Sequence, residues 1–129
     1  MADDGVAIAQ WSRAERQARV ARWCADAFGA DSLADRHKRA LRLLEEALEL
    51  FQAEGGKATQ AAALADRVFA RPPGESQQEV GGISVTLLSY CEAAGLSADA
   101  CEAMEIERVL AKSLDAARAR YQAKVDAGF

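Results

Sequence analysis

Apolar positions recur every three or four residues along most of the chain, and this spacing predicts amphipathic helices. From about Val6 to Phe28 the apolar side comprises Ile8, Trp11, Val20, Trp23, Ala27 and Phe28. Arg13, Glu15, Arg16, Arg19 and Arg22 form a wetter side, and Gly29 is a stop signal. Asp31-Ser32 offers an N-cap, with Ser32-x-x-Asp35 resembling a capping box, for a second helix from about Leu33 to Glu54. Its apolar arc, from Leu43 through Leu44 to Leu41, spans about half the circumference and suits a bundle helix. A third helix is predicted from Ala58 to Ala70, with Ala62, Leu64, Ala65, Val68 and Phe69, before Arg71-Pro72-Pro73-Gly74 breaks the pattern.

The fourth helix, about Glu75 to Ala94, differs from the others. Val80, Ile83, Val85, Leu87, Leu88, Tyr90 and Cys91 cover nearly every direction, so it is expected to be the buried central helix. The run Ile83-Ser84-Val85-Thr86 would also suit a strand, but its length and helical surroundings favour helix. Gly81-Gly82 costs this helix about 1 kcal/mol per glycine relative to alanine, which suggests close approach by another helix or a ligand. Gly95 closes it. Ser97 then caps a last helix, about Ala98 to Lys124, with Met104, Val109, Leu110, Leu114 and Ala117 on its core side. The polar stretch Met1 to Gly5 reads as a frayed end. The expectation is one all-α domain over residues 1–129, a bundle of four to five helices.

Composition narrows the possible functions. With 129 residues, half of them apolar and only two prolines, the chain is large enough to bury a core and is biased to helix. A net charge of −4 and the lack of a basic stripe argue against a nucleic-acid polymer, though not against a nucleotide held through a metal. Cys24, Cys91 and Cys101 are odd in number without C-x-x-C spacing, which points to a reducing cytoplasm. His37 is the only histidine, so neither a zinc site nor a Ser–His–Asp or Cys–His pair can be argued from the pattern. No secretory segment and no apolar run of membrane-spanning length is present, so a soluble intracellular chain is expected.

The stretch with chemical content is Arg42-Leu43-Leu44-Glu45-Glu46-Ala47-Leu48-Glu49-Leu50-Phe51. At about 100° per residue, Glu45, Glu46 and Glu49 share a strip roughly 100° wide. Leu41, Leu44, Leu48 and Phe51 flank it on one side and Leu43 and Leu50 on the other. Two readings of the strip stand side by side. Water and Arg42, which reaches Glu46 at i+4, can screen a solvated face; or a divalent cation can hold the carboxylates together. Magnesium takes hard oxygen ligands, so Glu46 and Glu49 can share it, with Glu79 at the start of the fourth helix as a third donor. Gly55-Gly56-Lys57 lacks the spacing of a phosphate loop, and Lys57 and Thr59 stand only at a helix start. Trp11 and Trp23 suit core packing better than base stacking, although neighbouring basic residues keep a nucleotide in play.

The acidic stretch resembles the E-E-x-x-E element of the MazG-like, all-α nucleoside triphosphate pyrophosphohydrolases. Glu79-Val80-Gly81-Gly82 stands where that family has E-x-x-D, followed by an apolar helix ending Cys91-Glu92-Ala93-Ala94-Gly95-Leu96-Ser97. The similarity covers residues 36–124 and leaves the first helix (1–30) outside. It implies Glu46, Glu49 and Glu79 as metal ligands, Glu45 as a further ligand or water-orienting base, and Mg²⁺ (or Mn²⁺) as cofactor. It also implies cleavage of a (d)NTP to a monophosphate and pyrophosphate by a homodimer or homotetramer. Lys112 and Arg108 are the candidates for phosphate contact, and Trp23 and His37 for the base pocket. Gly82 departs from the family pattern, since it supplies no ligand where the family has aspartate. This departure keeps a degenerate, non-catalytic nucleotide- or protein-binding module as the alternative.

Overall fold

The computed structural model describes residues 7–129, so the frayed end and the helix start expected at Val6 lie outside the described residues. Among these residues the chain is all-helical, with seven α-helices, one 3₁₀ turn at Ile8–Gln10 and no strand. The helices are α1 Arg13–Phe28, α2 Ala30–Ala34, α3 Arg36–Ala53, α4 Ala58–Phe69, α5 Ser76–Ala94, α6 Ala98–Leu110 and α7 Leu114–Asp126. They fall into two compact units, one formed by residues 1–36 and 87–129 and the other by residues 37–86.

Several expected boundaries are corrected. The first helix begins only at Arg13, because the Ser12 hydroxyl accepts from the Glu15 N–H at 3.1 Å and caps it. Ser32 does not cap the long second helix. It lies inside α2, and its hydroxyl donates to the Tyr121 hydroxyl at 3.0 Å, so α3 starts at Arg36 rather than Leu33. The single last helix is two, because the Ser113 hydroxyl accepts from the Ala116 N–H at 3.1 Å and starts α7 afresh. The stretch Ile83–Thr86 is helical, as expected.

In the first unit α1 packs against α2, α6 and α7, and the 3₁₀ turn packs against α6. Trp11, Ala27, Cys91, Ala103, Ile106 and Ala117 are its buried apolar residues. Met104, expected on the core side of the last helix, is 70 % exposed, because Ala103 and Ile106 turn α6 inward instead. Arg16, expected on the wet side of α1, is buried. Its guanidinium lies 2.9 Å from both Asp99 and Glu102 of α6 and donates to the Ile8 and Ala9 carbonyls at 3.3 and 3.4 Å. A buried cation is tolerated only when paired and hydrogen-bonded, and Arg16 is both. Arg118 closes α1 at its other end, donating to the Asp26 and Ala27 carbonyls at 2.8 and 3.3 Å, where the macrodipole favours a cation.

The second unit differs in kind. Its helices are well begun and ended. Gly55, at φ 85°, ends α3 in a Schellman turn, with Gly55 N–H to Gln52 O at 3.0 Å and Gly56 N–H to Phe51 O at 2.8 Å. Gln60 Oε1 accepts the Lys57 N–H at 3.0 Å at the start of α4. Yet α3, α4 and the first part of α5 meet one another at most sparsely, and no residue from 37 to 86 is buried. The expectation of a buried central helix is therefore corrected: along α5 Val80 is 62 % exposed and Val85 69 %, and only Cys91 is buried. Nor does anything crowd Gly81 or Gly82, where an added Cβ would meet no atom within 4 Å. Helix formation here follows local propensity and capping, while the apolar surface that would hold the helices together stays uncovered.

Candidate functional site

The acidic strip lies on α3, whose charge order is unusual. Arg36, Lys38 and Arg39 occupy its first turn, and Glu45, Glu46, Glu49 and Glu54 follow toward its end. No acidic residue stands in the first turn and no basic one in the last. The helix macrodipole favours the reverse, and each end charge of the wrong sign costs about 0.3–1 kcal/mol at the surface. Elsewhere the ordinary arrangement holds: Asp99 and Arg108 on α6, and Asp115 and Lys124 on α7, stand at the matching ends.

Glu46 and Glu49 are exposed, one turn apart on α3, and Glu45 beside them is half-buried. Glu79 lies in the first turn of α5, within the same unit, with its carboxylate folded back over Gly74. The structure thus puts three carboxylates on one helix and the fourth on another. Among the described residues no three His, Cys, Asp or Glu side chains gather closely enough to hold a metal ion. What the strip offers chemically is a pair of hard oxygen donors, Glu46 and Glu49, able to share a divalent cation whose other positions are filled by water. His37 is exposed at the start of α3.

The other candidates belong to the first unit. Trp23 meets Phe28 edge to face (centroids 5.2 Å apart, planes at 85°), and Phe28 stacks on Tyr121 at 4.8 Å. This aromatic cluster ties α1 to α7, so Trp23 has a packing role whatever else it does. Its indole nitrogen is buried and has no acceptor among the described residues, which costs about 1–3 kcal/mol. Arg108 is engaged by Glu105 through two hydrogen bonds, one of them from Nε at 2.8 Å. That hydrogen bond, with the nearby charges of Arg108 and Lys112, holds the Glu105 carboxyl below its ordinary value. The hydrogen bond to Glu102 likewise raises Arg16 above its ordinary value, with smaller contributions from Asp99.

Two features escaped the pattern of the sequence. The Arg16–Asp99–Glu102 cluster joins residues more than 80 positions apart, and no local signal marks it. Ser12-Arg13-Ala14-Glu15, by contrast, carries the S-x-x-E signature that would have located the start of α1. Comparison with known proteins adds nothing to this geometry, since no protein-family model, curated protein or solved structure matches the chain.

Proposed function

We propose that the chain is a magnesium-dependent nucleoside triphosphate pyrophosphohydrolase that cleaves a (d)NTP to the monophosphate and pyrophosphate. The proposal extends to a MazG-like helical assembly, a homodimer or homotetramer, in the cytoplasm. The observation that carries it is the pair of exposed carboxylates, Glu46 and Glu49, one turn apart on α3, with Glu45 beside them. Glu46 and Glu49 would hold the divalent ion, and Glu79 would add a third oxygen if its carboxylate left Gly74; the ion would supply neutralisation of phosphate charge and activation of water. Glu45 orients the attacking water and accepts its proton, so that a P–O bond forms at the α-phosphorus as the bond to the β-phosphate breaks. Lys112 and Arg108 for the phosphates, and Trp23 and His37 for the base, are proposed on the resemblance alone.

The test is pyrophosphate release from a panel of (d)NTPs with Mg²⁺ or Mn²⁺, for the parent chain and Glu49→Gln. The parent is expected to release pyrophosphate and the variant to lose at least a hundredfold in kcat, as removal of a metal ligand does. Release from no nucleotide, or equal release by the variant, removes the catalytic reading.

A second reading, a non-catalytic nucleotide- or protein-binding module, is favoured by Gly82. A Cβ added at this glycine would meet no atom within 4 Å, so Gly82→Asp tests the reading directly. Under the catalytic reading this variant binds Mg²⁺ more tightly than the parent. Unchanged affinity places Gly82 away from the site.

A further inference from the structure

We draw no further inference here: the strongest candidate, the exposed apolar side of α3 and its neighbours in the 37–86 unit, carries no proposal, since nothing in the structure shows what covers it.

Discussion

Gly81 and Gly82 provide the sharpest check on how α5 is exposed. Both lie in the helix interior with ordinary negative φ, since the left-handed glycines are Gly29, Gly55, Gly95 and Gly128. Neither has an atom within 4 Å of where a Cβ would sit. Alanine at either position therefore keeps the native backbone, adds no clash and removes flexibility from the unfolded chain. Helix propensity puts the gain at about 0.5–1 kcal/mol per position. For a domain of this size that raises the unfolding temperature by roughly 2–5 °C. The assay is thermal unfolding of Gly81→Ala and Gly82→Ala followed by circular dichroism, at one fixed chain concentration because association shifts the midpoint. A fall in midpoint at either position would refute the reasoning, since another backbone would then have to approach α5 at the glycines.

Three further outcomes are expected. Gly56→Ala displaces the Phe51 ring from the turn after α3, and because that ring is exposed the cost in denaturant titration is expected to stay below about 1 kcal/mol. Ser113→Ala costs about 1 kcal/mol and lowers helicity, because it deletes the cap that separates α7 from α6. The Glu105 carboxyl, held low in the folded chain by Arg108, lends stability that is full above its unfolded value and fades as pH falls through the folded one; Arg108→Gln should move its NMR titration midpoint upward.

Local chemistry carried much of this fold into readable form. Gly29, Gly55 and Gly95 stop helices with φ of 92°, 85° and 68°, a conformation that glycine adopts without a steric penalty. Ser97 caps α6 where its position suggested. Ser113 went unread because Leu110, Leu114 and Ala117 continue the helical spacing across the break, so periodicity conceals a cap that depends on one hydroxyl. Ser32 misled for the opposite reason: its hydroxyl is taken by Tyr121, a partner 89 residues away. Arg16 looked solvated because its neighbours in sequence are polar, and only tertiary contact with Asp99 and Glu102 reveals its burial. For α5, apolarity on every side foretold a cover that the described residues do not supply. The carboxylate strip was legible as a strip, since helix geometry fixes Glu45, Glu46 and Glu49 relative to one another. The placement of Glu79 was not, because its carboxylate folds back over Gly74, a contact that no periodicity marks.

The Arg16 cluster has a bearing on how the chain is made. Its guanidinium belongs to the first helix and its two carboxylates to the sixth, so the first unit is stitched from segments on either side of residues 37–86 in the sequence. On a ribosome, the opening segment waits for most of the polypeptide before its cation finds an anion, and such a late, long-range closure slows folding. Meanwhile the middle of the chain emerges with its leucines and valines still uncovered, as they are in the folded unit.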